Sequence, residues 1–270
     1  FKHCDMQWRI WQWTHLEDCM MTALSHATLE DRANIHRLRI IALGKAPSAS
    51  AYAALIATIQ ERTDDAVVAE ELFNESQKLG VRPNTYLYNT IISKLSRARK
   101  AEQALRLFDE MQKSNLRPSS VTYGAAINAC VRTGDESRAT QLFAEMESQP
   151  MFQPRVPPYN TMIQYYVHSV RNRDKALLYY EKMQHAGVRP SAHTYKLLLD
   201  AWGTIEPIQP ERQQALFARL SADRLVGAQG THWASLIHTQ GVVLRDLDQA
   251  KEIFDSIADR APTVPRGKSF

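Results

Sequence analysis

Cysteine is scarce in this chain of 270 residues: Cys4, Cys19 and Cys130 are scattered and odd in number, which argues against a disulfide framework and fits a reducing compartment. No apolar run approaches the roughly 18 residues needed to cross a bilayer, so no membrane span is expected. Neither a glycine-rich phosphate loop nor a nucleophile elbow is present, and no alternating apolar–polar stretch is long enough to found a sheet. Charge of one sign is also lacking. With 33 Lys plus Arg against 29 Asp plus Glu, the net charge of +4 suits a polyanionic partner but falls far short of a histone-like protein. The chain opens on Phe1, so no targeting peptide can be read from it. What it does have is 44% hydrophobic residues, enough for a sizeable buried core.

Those residues recur at a fixed period. Tyr52, Tyr88, Tyr123, Tyr159, Tyr195 and Trp233 are spaced by 36, 35, 36, 36 and 38 residues, and the segment from Arg82 to Ile92 is echoed from Arg117 to Ile127. A second series keeps step: Ala104, Phe108 and Met111; Ala139, Phe143 and Met146; Ala176, Tyr180 and Met183. Its spacings of four and three mark one helix face. Phe73, Phe217 and Phe254 extend the series, with Ala69 and Ala250 in place and Gln213 where a small residue is expected. Arg-Pro at 82–83, 117–118 and 189–190 stops one helix, and Asn84, Ser119 and Ser191 suit the start of the next. The expectation is an all-α chain of about six helix–turn–helix repeats opening near 49, 85, 120, 156, 192 and 230. They span residues 49–263, after an N-terminal degenerate repeat or helical cap over 1–48 and before a tail, 264–270, that is expected to fray.

Tyr-Asn-Thr-Ile-Ile at 88–92, Ala-Leu-Arg-Leu-Phe-Asp-Glu-Met at 104–111 and Leu-Arg-Pro at 116–118 resemble pentatricopeptide repeats. The resemblance covers 49 to about 260 and is strongest from 82 to 191. It implies a right-handed α-solenoid that binds single-stranded RNA in an organelle, probing one base per repeat with a few side chains. Mitochondria are the implied compartment, chloroplasts the other, and the implied output is RNA stabilisation, processing or translational activation without catalysis and without a cofactor. In the family the residue after the Tyr and the residue closing the repeat select the base. Asn89 with Ser119, and Asn160 with Ser191, therefore look like pyrimidine readers, cytosine rather than uracil. Tyr86 and Val121 fall at the base-sandwiching position. Ala53 with Asn84, Gly124 with Arg155, Lys196 with Gln229, and Ala234 depart from the family's pairs, and Arg155 and Lys196 would meet phosphate more naturally than a base edge.

Arg62, Arg97 and Arg132 lie 35 residues apart near the ends of the first helices, with His168 next in register. A ladder of cations at repeat spacing could track a phosphate backbone; the competing reading is that each satisfies the carbonyls at a helix C-terminus. A second function follows from the departing repeats: a scaffold docking a ribosomal or respiratory-assembly protein. The remaining chemistry-bearing groups read as decoys. His15-Leu16-Glu17 has no Cys-x-x-Cys to complete a zinc deaminase, and Cys4, His15, Cys19 and His26 lack the paired spacing of a zinc site, so no metal is expected. Asp64-Asp65 and Asp109-Glu110 point about 100° apart on a helix and read as solvated faces or caps.

Overall fold

The structure, a computed structural model, describes residues 2–59, 65–149, 153–223 and 225–258, with side chains from residue 11 onward. Arg62, Asp64 and the tail 264–270 lie outside the described residues. Those described are helical and fall into two compact units, 1–153 and 154–270.

The first unit holds four helix pairs: α1 (Lys2–His26) with α2 (Glu30–Ala42), α3 (Ala49–Thr58) with α4 (Asp65–Lys78), α5 (Thr85–Arg97) with α6 (Ala101–Lys113), and α7 (Ser120–Thr133) with α8 (Glu136–Ser148). The first helices α1, α3, α5 and α7 stack side by side into a wall. The first of these pairs, α1 with α2, lies ahead of the periodic anchors, and its 25-residue first helix packs on α3.

The second unit holds three pairs. They are α9 (Val156–Gln164) with α10 (Arg173–His185), α11 (Ala192–Thr204) with α12 (Pro210–Ala222), and α13 (Gly230–His238) with α14 (Leu247–Ala258). Here α9, α11 and α13 make the wall. Two of these first helices end in a π-helical turn, Tyr165–Ser169 after α9 and Thr239–Val243 after α13, each beginning six residues beyond its aromatic anchor. An extra residue per turn re-aims the side chains at the end of the helix.

The periodic residues are the core. Tyr52, Tyr88, Tyr123 and Tyr159 are buried, as are Ala69, Ala104, Ala139 and Ala176, whose small side chains let neighbouring helices approach closely. Three second-helix phenylalanines meet the aromatic anchor of the following pair: Phe73 with Tyr88 at 6.0 Å, Phe108 with Tyr123 at 5.2 Å and, in the second unit, Phe217 with Trp233 at 4.4 Å between ring centroids. The last two are edge-on, an arrangement worth about 0.5–1.5 kcal/mol beyond area burial. Phe254 breaks the series. It is 62% exposed, because among the described residues no helix follows α14 to cover it. Gln213, at the position where a small residue is expected, is fully buried and donates to Leu199 O at 3.0 Å and Thr239 Oγ1 at 2.8 Å.

The phenol oxygens of the anchors bond a row of carboxylates, among them Glu110, which the sequence had suggested lay on a solvated face or cap. Tyr52, Tyr88 and Tyr123 donate to Glu75, Glu110 and Glu145 on the second helix of their own pair, at 2.7, 2.8 and 2.8 Å. Burial first, then the adjacent carboxylate, pushes the Tyr88 phenol up to about 12. Tyr88 and Tyr123 therefore each grip two neighbours, the ring on the preceding pair and the hydroxyl within its own.

The chain breaks are as regular as the core. Gly80, Asn115 and Gly187 adopt positive φ at the ends of second helices, and the next backbone N–H in each case returns to the carbonyl five residues back. These Schellman-type turns let Val81, Leu116 and Val188 lead into the Arg-Pro dipeptides. Asn84, Ser119 and Ser191 then cap α5, α7 and α11, each side chain accepting a backbone N–H three residues on.

Candidate functional site

Asn89 and Asn160 project from the first helices α5 and α9, one in each unit, and the two have the same surroundings. Asn89 Nδ2 donates to Ser119 Oγ at 3.4 Å, and Asn160 Nδ2 donates to Ser191 Oγ at 3.4 Å. Thr194 Oγ1 donates to Asn160 Oδ1 at 2.8 Å, and Thr122 makes the corresponding short bond to Asn89 Oδ1. The serine backbone N–H groups donate to the same threonine hydroxyls, at 2.8 Å for Thr122 and 3.0 Å for Thr194. The structure therefore brings together each expected Asn–Ser pair and adds a threonine to it.

Counting protons fixes what each group has left. The single proton of each threonine hydroxyl goes to the asparagine oxygen, so in the Ser–Thr contacts, 3.1 Å in the first unit and 3.0 Å in the second, serine is the donor. The serine oxygens also accept from the backbone N–H of Thr122 and Thr194. Serine and threonine thus spend their capacity on each other, on the helix cap and on the asparagine. Each asparagine amide, with two N–H donors and two oxygen lone pairs, keeps one donor and one acceptor unspent in a fixed orientation. A donor beside an acceptor is the pattern needed to pair with the Watson–Crick edge of a pyrimidine.

Thr122 and Thr194 were missed because attention to the residues flanking the anchors passes over the one just before it. The signal is nonetheless present. Ser-x-x-Thr occurs at 119–122 and 191–194, at the two junctions whose preceding repeat carries Asn after the anchor, whereas Asn84, Arg155 and Gln229 are followed by Leu87, Pro158 and His232.

Tyr86 and Val121 sit in the first turns of α5 and α7, which pack directly on each other, and are 44% and 45% exposed. Two apolar side chains, one aromatic and one aliphatic, are thus left open on the first turns of adjacent helices.

The cations are less uniform than their spacing suggests. Arg97 and Arg132 are exposed at the C-terminal ends of α5 and α7. Arg132 donates to Asn128 Oδ1 and to the Arg97 backbone carbonyl, both at 3.3 Å, and so takes up an end carbonyl of α5. Lys94, buried, does the same one pair earlier, reaching Ile59 O at 2.5 Å. Helix capping, posed as the alternative to phosphate binding, is thus a present use of Arg132. Arg155 is exposed at the N-terminal boundary of α9 and its side chain makes no cap bond. Lys196 is engaged: Nζ lies 2.5 Å from Asp200 Oδ2 on the next turn of α11.

His168, on the π turn after α9, faces Asp200 at 3.6 Å. Burial, reinforced by Lys196 and Arg171 and opposed by Asp200, lowers its pKa. Among the described residues no cluster of three or more His, Cys, Asp or Glu side chains is placed to hold a metal ion, and no helix is long and apolar enough to cross a membrane.

Known proteins share the repeats and the fold. A PPR repeat family model matches residues 83–132 and 154–203, and a single PPR repeat matches 121–150. The chain is 48% identical, over 246 residues and 90% of its length, to the mitochondrial pentatricopeptide repeat-containing protein 5 of Schizosaccharomyces pombe, and it spans 19% of that protein. Among solved structures it is similar to the maize pentatricopeptide repeat protein PPR10, with a TM-score of 0.61, 22% identity, and coverage of 92% of this chain and 35% of that one. It is also similar to the PPR domain of Arabidopsis thaliana protein-only RNase P 1, solved in complex with tRNA, with a TM-score of 0.53, 20% identity and coverage of 65% and 90%.

Proposed function

The chain belongs to the pentatricopeptide repeat family, and we propose that it binds single-stranded RNA, acting in mitochondrial RNA stabilisation, processing or translational activation by occupancy. The observation that carries this reading is the Asn–Ser–Thr triad, built twice, once in each unit, and leaving each asparagine one donor and one acceptor in a fixed orientation. A helix cap alone needs the serine. It has no need of an amide from the preceding repeat held in register by a second hydroxyl.

In this proposal Asn89, with Ser119 and Thr122 behind it, and Asn160, with Ser191 and Thr194, each read a pyrimidine. Tyr86 and Val121 sandwich a base at the first. Arg97, Arg132 and Arg155 meet phosphates, Arg97 and Arg132 by leaving the contacts they make here, and Arg62 joins them by its register; Lys196, expected from the sequence to do the same, is held by Asp200. The mitochondrial location is supported by the name of the fission-yeast relative. Bound RNA is shielded or remodelled and none of its bonds is broken.

Changing Asn89 and Asn160 together to Ala tests the reading. Each lost readout is expected to cost roughly 1–3 kcal/mol, by analogy with base contacts in DNA, and to relax pyrimidine preference at its own position. Unchanged affinity and selectivity in a binding assay would discard the site. Crosslinking in the native compartment, with sequencing of bound RNA and mass spectrometry of bound proteins, separates this from the scaffold alternative: one stoichiometric protein and no RNA footprint would replace RNA binding.

A further inference from the structure

The second unit contains a cleft of about 800 Å³ on the first-helix side, lined by α11, α13, the π turn after α9 and the loop after α11. At its centre the register position held by Asn89 and Asn160 is Lys196, and the triad is gone. The residue in place of Thr122 and Thr194 is His232, whose Nδ1 accepts from Gln229 N at 2.9 Å while Nε2 donates to Ala192 O at 2.7 Å, so its ring is spent on the backbone. Lys196 turns instead to Asp200. Asp200 is buried, its Oδ1 accepts from Ser235 of α13, and its Oδ2 lies 2.5 Å from the ammonium. Both side chains line the cleft, and Ala234 opposite takes up little of it.

We propose that this Lys196–Asp200 pair reads a guanine base of the bound RNA, an inference that rests on the RNA-binding reading above. The ammonium has three protons, of which one faces Asp200 and two remain to donate; each carboxylate oxygen retains a lone pair beyond the bond it already accepts. The site thus presents a donor next to a row of acceptors. Guanine presents the complement on its Watson–Crick edge, with O6 accepting and N1–H and the N2 amino group donating. Cytosine and adenine would turn an amino group toward the ammonium and a bare ring nitrogen toward the carboxylate. Uracil matches at O4 and N3–H and then opposes its O2 to a carboxylate oxygen. A buried carboxylate facing an acceptor loses solvation with no bond in return, so the mismatch is penalised as well as unrewarded. The pair is already formed, with Ser235 fixing the carboxylate and the lysine closing one helical turn, so little ordering remains to be done on binding. The cleft volume lies in the range of sites that enclose whole small ligands, ample for a purine. Arg171, exposed at its edge, is placed to take a phosphate of the same nucleotide.

The test is selection of bound sequences from a randomised single-stranded RNA library, followed by affinity measurements on the winning RNA with base analogues. Guanine is expected next to the pyrimidine assigned to Asn160, since α9 and α11 open successive repeats. Replacing that guanine by inosine, which lacks the N2 amino group, is expected to weaken binding about tenfold, while 7-deazaguanine, which alters only the other edge, leaves it unchanged. Asp200→Asn should abolish the preference while leaving the pyrimidine position selected. The analogue arm needs no variant, so the outcome stands even if D200N unfolds. A selected pyrimidine with no neighbouring guanine, or equal tolerance of inosine and guanine, overturns the Lys196–Asp200 assignment and leaves RNA binding intact. Failure to retain any RNA overturns the RNA-binding reading, and this assignment with it.

Discussion

Replacing Thr194 with valine keeps the shape of the side chain and removes one hydroxyl, which isolates what that hydroxyl does for Asn160. In the native protein it donates to Asn160 Oδ1 at 2.8 Å and accepts from Ser191 N at 3.0 Å. Its loss leaves the amide oriented only by the 3.4 Å contact to Ser191, so the two flipped orientations approach equal energy. The most that fixing the amide can add to base discrimination is the net worth of the lost bond, about 0.5–1.5 kcal/mol, or roughly two- to tenfold. Asn160→Ala should cost more, because it removes the readout itself, at roughly 1–3 kcal/mol. The assay is fluorescence anisotropy with an RNA carrying the preferred pyrimidine or its competitor, on wild type, T194V, N160A and the double variant. If Thr194 acts on RNA only through Asn160, T194V has no further effect in the N160A background. An equal loss in both backgrounds would refute the reasoning and mark the threonine as a fold residue alone, whose stability cost the same samples report through urea denaturation.

Two further outcomes follow from the framework. A Cβ added at Gly203 would lie 2.1 Å from Thr239 Oγ1 and 2.3 Å from Gln213 Nε2, groups already bonded to each other in a buried network, so Gly203→Ala should destabilise the second unit by roughly 1–3 kcal/mol despite its better helix propensity; an unchanged urea midpoint by Trp202 and Trp233 fluorescence would contradict the packing. Glu75 feels burial pushing its pKa up, but hydrogen bonds from Arg37 and Tyr52 outweigh it and hold the carboxyl below its ordinary 4.5. Its contribution is therefore complete above pH 4.5 and fades as pH falls through the lowered value, and the difference in urea midpoint between wild type and Glu75→Gln should shrink over that window rather than stay constant.

How far the sequence reveals all this depends on whether an interaction repeats. Tyr88 and Phe108 announce themselves because each has counterparts one period away, and both are buried where helix periodicity places them. Ser119 and Ser191 are visible as caps because Arg-Pro stands just before them. Glu110 was read as a solvated face, since its bond to Tyr88 spans 22 residues and nothing local marks it, although Glu75 and Glu145 repeat it. Lys196 and Asp200 are four apart on a helix and could have been paired by spacing alone; Ser235, 35 residues on, could not. The π turns after α9 and α13 leave no trace in hydrophobic spacing, because the added residue falls after the last periodic position. Phe254 shows the opposite error. The period predicts burial for it, but burial requires a neighbour, and periodicity counts residues without supplying one.

The same division separates framework from reading within each repeat. The tyrosine anchors, the Phe–Tyr contacts and the Schellman turns involve residues that face the adjacent helix, so a change at one is felt by two pairs and the repeat resists it. Asn89, Gly124, Asn160, Lys196 and Ala234 occupy one register position on the first helices and differ freely in size and charge while the helices that carry them keep their packing. The position can vary because the caps and anchors on either side hold the backbone without it. What varies with it is the local support: a serine–threonine pair behind each asparagine, an aspartate behind the lysine. On the RNA-binding reading proposed above, selectivity rests on a residue together with the donor or acceptor that orients it. The Thr194 cycle and the inosine substitution probe that pairing at adjacent repeats, from the protein side and from the RNA side.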